Sequence, residues 1–185
     1  MKRNRQQTEK RIVEAAIRLL ADEGFQSFGV NAVAAHASVD KVLIYRYFSG
    51  LDGLLDFIGN TEVLFPSAAA MLDTDLTGFY RNFCRALDEN RLGACVQNWE
   101  RVTDNPLTEA YRRQRSLFWD DASSLLRPQS EAAHSLLKLL AAAPLHSVTA
   151  DALSPLLSVS EFSPVEAPIR KTDGEPAERL ADNLL

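Results

Sequence analysis

The sequence predicts an all-α protein: an N-terminal three-helix helix-turn-helix domain plus a C-terminal helical domain. Three observations carry the fold class. Apolar residues recur at helical spacing from Val13 to Leu140, strand-like alternation appears nowhere at useful length, and three short helical stretches joined by tight turns fill the first fifty residues. The expected divisions are residues 1–50 for the helix-turn-helix, 51–159 for the helical body and 160–185 for a loose tail. In that tail Pro164, Pro168 and Pro176 stand among charges.

The first helix shows Val13, Ala16, Ile17 and Leu20 at i, i+3, i+4 and i+7, with Thr8 as its cap and Gly24 as its terminator. Arg11 stands three residues after Thr8 where a capping box wants Glu, so that box is incomplete. A second helix spans about Val30–Ala37, with Val30, Val33, Ala34 and Ala37 on one face. A third spans about Lys41 to Phe48; Asp40 opens it by accepting from the free N–H groups of the first turn, and Ser49-Gly50 ends it. The fourth runs from about Leu51 to Leu64, weakened by Gly53 and Gly59 and stopped by Pro66.

Beyond Pro66 one stripe holds Leu76, Phe79, Tyr80, Phe83 and Leu87, and the next holds Leu92, Cys95, Val96 and Trp99. Pro106 suits a helix start, and Leu107, Tyr111, Gln114, Phe118, Ala122 and Leu125 run to a stop at Pro128. Ala132, Leu136, Leu139, Leu140 and Ala143 make a further helix ended by Pro144, and residues 149–159 are helical in part around Pro155.

Composition removes several function classes. No stretch approaches the roughly 18 apolar residues of a membrane span, and no apolar segment follows the basic start, so neither a membrane protein nor a secretory leader is expected. Cys84 and Cys95 are too few for a disulfide framework and lack the spacing of a zinc site. The expectation is a cytoplasmic protein without metal or cofactor. Net charge is −5, but its distribution matters more than its sum. Residues 1–50 carry eight Lys/Arg against five acids, +3, and the remainder carries twelve against twenty, −8. A basic end on an acidic body lets one part approach a polyanion.

A reading helix must be short, supported on one face and free on the other to enter a major groove. On a helical wheel Ile44 and Phe48 face the core with Tyr45 beside them, while Val42, Leu43 and Arg46 point away. Outward Val42 and Leu43 make sense against thymine methyl groups, with Lys41 and Arg46 available for guanine edges or phosphates. Tyr45 and Tyr47 can each pack a ring and offer a hydroxyl to phosphate.

The run Ile12-Val13-Glu14-Ala15-Ala16, Leu19-Leu20, Glu23-Gly24-Phe25, then Val30-Asn31-Ala32-Val33-Ala34, then Val39-Asp40-Lys41 and Ile44-Tyr45-Arg46-Tyr47-Phe48 resembles the TetR/AcrR family of bacterial transcriptional regulators. The resemblance covers about residues 8–58. It implies a homodimer of all-α subunits whose N-terminal domains bind double-stranded operator DNA, and whose larger domains dimerise and bind a small effector. Most such proteins are repressors released by that ligand. Carried over, Lys41, Val42, Leu43 and Arg46 are base-reading candidates, and Asn31, Tyr45 and Tyr47 are phosphate candidates. Arg3 and Arg5 are candidates for a flexible arm. Three positions depart from the pattern: Ser38 stands for a turn glycine, Gly29 for a hydroxyl residue opening helix two, and Leu51 for a phosphate-gripping lysine. Weaker, less salt-dependent DNA binding is expected from them.

In the body, aromatic residues spread over three successive helices admit an apolar or aromatic effector contacted by Trp99, Tyr111, Gln114 and Phe118. Gln114 interrupts an apolar stripe, so its amide needs either backbone or a ligand. The segment Ala132–Ala143 is apolar on more than one side, which together with the resemblance places it at a dimer interface. An enzyme is not expected: His36, His134 and His146 are scattered, and no nucleophile or metal cluster is marked. The alternative is a helical interaction protein of the same fold that has lost DNA.

Overall fold

Twenty-two residues, Lys2–Glu23, form α1 in the computed structural model, which describes residues 2–73, 75–127, 131, 135 and 138–140. The helix begins six residues before Thr8. That residue is therefore no cap; its hydroxyl donates back to the Asn4 carbonyl at 2.9 Å. The polar first half is supported by ion pairs one turn apart, Arg5–Glu9 at 2.7 Å and Lys10–Glu14 at 3.6 Å. Its second half buries Ile12, Ala16, Leu19 and Leu20, and Gly24, at φ +79°, ends it.

Three shorter helices follow: α2 (Val30–Ala37), α3 (Val42–Phe48) and α4 (Leu51–Thr61). The α2–α3 turn places Ser38 at φ 50°, ψ 51°, the left-handed region. There the Ser38 N–H donates to Ala35 O at 3.1 Å and the Val39 N–H to Ala34 O at 3.0 Å, closing the helix end. Asp40 opens α3 as expected, its carboxylate accepting from the Val42 N–H at 2.8 Å. α4 is shorter than the sequence suggested, because Glu62 turns extended at φ −102°, ψ 149°.

Gly53 and Gly59 are close-approach positions rather than weak points. A methyl group at Gly53 would lie 1.7 Å from the Phe48 carbonyl oxygen, and one at Gly59 would lie 2.6 Å from the Ala110 methyl. The first glycine lets α4 fold against the end of α3, and the second lets it pack on the long helix of the body.

That body comprises a short 3-10 turn (Ala68–Met71) and then α5 (Leu76–Glu89), α6 (Arg91–Glu100) and α7 (Pro106–Leu126). Each helix has a side-chain cap. The Asp75, Asn90 and Asn105 side chains accept from Gly78 N, Gly93 N and Leu107/Thr108 N respectively. Phe65, Phe79, Phe83, Phe118 and Trp119 form one aromatic core, with Phe83 stacked on Phe118 at 4.7 Å. α4 packs against α7 and also carries α3, so it joins the reading head to the body.

The described residues are all-α, with helices and turns only, and no helix among them is long and apolar enough to cross a membrane. Most of the Ala132–Ala143 segment, including Leu136 and Leu137, lies outside the described residues, as do the partial helix at 149–159 and the tail at 160–185. Of the described pair there, Leu140 is buried and Leu139 exposed.

Candidate nucleic-acid interface

α3 is held from behind by Ile44, fully buried, and Phe48, whose ring meets Phe57 edge-on at 5.5 Å. Lys41, Val42, Tyr45, Arg46 and Ser49 then fall on its exposed side, spaced i, i+1, i+4, i+5 and i+8. Val42 is 61% exposed and Tyr45 57%. Two expectations are corrected here. Tyr45 does not sit beside the core but stands out in solvent, its ring near Gly50. Leu43 does not point away; it is half-buried against the core, one flank round from the exposed face. One branched apolar side chain, Val42, is therefore presented, flanked by a lysine, a tyrosine and an arginine.

Tyr47 is half-buried, and the Arg5 guanidinium lies 5.1 Å from its ring centre. Arg5 thus belongs to α1, paired with Glu9, and the flexible arm expected of Arg3 and Arg5 is instead the first turn of that helix. Asn31 is exposed in the first turn of α2. Gly29 precedes it in extended conformation and offers no side-chain cap, while Leu51 is half-buried against the core.

Two further supports carry no signature in the sequence. The Arg11 Nη2 group donates to the Ala37 carbonyl at 2.6 Å and the Ser38 carbonyl at 3.2 Å, across from α1 to the end of α2. His36, on the same face, sits between two acceptors: the Ala32 carbonyl at Nδ1 and the Glu23 carboxylate at Nε2, each at 3.0 Å. Only an imidazolium can donate both bonds. Its pKa is raised above 6.5, first by the Ala32 carbonyl and then by Glu23. Glu14, Arg11 and Arg18 line the same groove. Because the folded value is the higher one, this tie is fully present below pH 6.5 and fades as pH rises through the raised value. Urea unfolding is therefore expected to show His36→Gln losing stability against the native chain at pH 6 and matching it at pH 9; an equal gap at both would exclude the tie.

The four residues expected around an effector are not brought together. Trp99 faces the reading head, stacked on Phe25 at 5.6 Å and edge-on to Phe28 at 5.7 Å. Gln114 has all four amide positions taken by backbone: its oxygen accepts from Leu64 N and Phe65 N, and its nitrogen donates to Gly59 O and Glu62 O. Backbone, not a ligand, answers its half-buried amide. Tyr111 and Phe118 do share the core, each edge-on to Phe65. The Tyr111 hydroxyl is buried, and burial pushes its pKa up against the opposing pull of the neighbouring Arg115 guanidinium. Phe65, Leu117, Phe118 and Gln114 line a groove of about 360 Å³ between the end of α4 and α7. Cys95, half-buried on α6, has its thiol pKa raised by burial. Among the described residues no three His, Cys, Asp or Glu side chains gather as a metal site.

With this geometry in place, residues 12–57 match the model of the bacterial regulatory proteins of the tetR family. The match spans the last turns of the core-facing half of α1, the whole of α2 and α3, and α4 as far as Phe57. Residues 12–57 are thus similar to the N-terminal domain of that family. No curated protein matches the chain. Among solved structures it is similar to a TetR family transcription regulator from Marinobacter aquaeolei VT8, at 15% identity over 89% of this chain and 100% of that one, with a TM-score of 0.46. It is also similar to NalD, the secondary repressor of the MexAB-OprM multidrug efflux pump in Pseudomonas aeruginosa, at 18% identity over 84% and 93%, with a TM-score of 0.46. A mutant of HlyIIR shows 17% identity over 83% and 96%, with a TM-score of 0.43.

Proposed function

We propose that the protein is a sequence-specific transcriptional regulator, a non-catalytic repressor that leaves its operator when a small apolar or aromatic effector binds. The carrying observation is the exposed face of α3, where Lys41, Val42, Tyr45 and Arg46 stand on a helix fixed from behind by Ile44 and Phe48. Lys41 and Arg46 supply charge to guanine edges or phosphates, Val42 an apolar surface to a thymine methyl, and Tyr45, Tyr47 and Asn31 hydroxyl or amide groups to the backbone. Leu43 lies on the half-buried flank of the same helix. The protein acts as a homodimer in the cytoplasm, residues 1–50 reading DNA and 51–159 dimerising and binding effector.

For the effector, the groove beside Phe65, Leu117 and Phe118 gives an apolar entry, with Tyr111 buried behind it against Phe65. Trp99 and Gln114 serve this reading by holding the body to the reading head and to α4.

Fluorescence anisotropy of the purified protein on its own upstream intergenic DNA, across a salt series, tests the regulator. Saturable, competitor-resistant binding is expected, with Lys41→Ala plus Arg46→Ala weakening it at least tenfold while circular dichroism stays native. This follows from roughly 1–3 kcal/mol per base-contacting side chain. Weak binding equal for every duplex would instead favour an interaction protein of the same fold, with Gly29, Ser38 and Leu51 as the lost anchors.

A further inference from the structure

We infer that Arg11 is a positioning residue for DNA reading: it pins the α2–α3 turn through the Ala37 and Ser38 carbonyls and so sets the angle at which α3 is presented. The inference rests on the regulator reading for its consequence, though not for its mechanism. The turn contains a conformation that L side chains avoid, Ser38 at φ +50°, and a serine cannot relax it as glycine would. The last carbonyls of a helix have no partners within the helix and carry the negative end of its dipole. One guanidinium nitrogen from α1 satisfies two of them, at 2.6 and 3.2 Å, with a charge-assisted bond. On the far side of the turn, the Asp40 carboxylate accepts from Val42 N. The four residues from Ser38 to Lys41 are the whole link between α2 and α3, and they are pinned at both ends.

Arg11 itself is exposed and next to the buried Ile12, so it is not needed to fill the core. Its effect on α3 should then vanish if the turn can hold its shape unaided, which glycine at position 38 would allow. The two residues are therefore coupled, and the coupling runs through backbone rather than through any contact with DNA.

Four proteins test this: native, Arg11→Met, Ser38→Gly and the double variant, with Arg18→Met as a control for charge lost two turns along the same helix. The DNA probe is a duplex selected from a random library by the native protein, beside an unrelated duplex. Arg11→Met is expected to lower affinity for the selected duplex at least tenfold and for the unrelated duplex less than threefold, and Arg18→Met to lower both less than threefold. In the Ser38→Gly background the Arg11→Met loss on the selected duplex is expected to shrink below threefold. Equal losses on both duplexes, or an undiminished loss in the Ser38→Gly background, would overturn the inference. If the native protein selects no duplex, the regulator reading fails, and the same four proteins decide the coupling by urea unfolding. A smaller Arg11→Met shift in midpoint in the Ser38→Gly background sustains it, and additive shifts overturn it.

Discussion

Gly53→Ala is expected to destabilise the protein by at least about 2 kcal/mol and to disorganise the reading head. Two effects oppose each other. Replacing a helical glycine by alanine gains about 1 kcal/mol of helix propensity. Against this, the new methyl would lie 1.7 Å from the Phe48 carbonyl oxygen, and overpacking against an atom that cannot swing aside costs about 3 kcal/mol or more. The clash wins, because the atom it meets is main chain and relief requires moving α3 away from α4. Thermal unfolding followed by circular dichroism should show a midpoint lower by roughly 4–8 °C. Gly59→Ala is the useful comparison, since there the neighbour is the Ala110 methyl, 2.6 Å away, at a helix-to-helix seam. A Gly53→Ala midpoint equal to or above the native one would refute the close approach.

Gln114→Leu is the second large effect, expected to cost about 3–4 kcal/mol. The amide serves Leu64 N at 2.9 Å and Phe65 N at 3.1 Å, and donates to Gly59 O at 3.3 Å and Glu62 O at 3.1 Å. Leucine would fill a similar volume but leave four backbone groups without it, each worth about 1–3 kcal/mol if wholly desolvated. The side chain is only partly buried, so water recovers part of that sum. Gln114→Glu discriminates the donors from the acceptors. Its carboxylate would keep the two N–H bonds but face the Gly59 and Glu62 carbonyls with no donor, so it should fall between native and Gln114→Leu at pH 7. Urea unfolding of the three proteins measures this; a Gln114→Leu loss below about 1 kcal/mol would mean the amide ties nothing. Since α4 carries α3 on its other side, this junction also fixes the reading head to the body.

Both effects sit at places where the sequence invited a different reading. A glycine within a helical stretch reads as a weakness when only propensity is considered, and the Phe48 carbonyl that gives Gly53 its purpose is visible only once α3 and α4 have folded onto each other. A glutamine within an apolar stripe announces that it needs partners without saying which. Those partners proved to be main-chain groups some fifty residues earlier, which carry no side-chain signature at all.

Local chemistry was legible in the sequence. Helical spacing, Pro106 starting α7, Asp40 opening α3 and the burial of Ile44 and Phe48 depend on residues within a turn or two of one another, and they stand in the structure as read. The order and spacing of residues 12–57 likewise carried the family resemblance, because a supported short helix needs those apolar positions in that register. What the tertiary structure alone decided was direction and partnership. Tyr45 faces solvent while Leu43 turns inward, since the wheel gives angles but not where the supporting helices lie. Trp99 stacks on Phe25 rather than lining an effector site, and Arg11 reaches across to a turn twenty-six residues away. Such contacts join segments distant in the chain. Periodicity encodes which face of a helix is apolar, whereas the neighbour that covers it is chosen by the packing of the whole molecule.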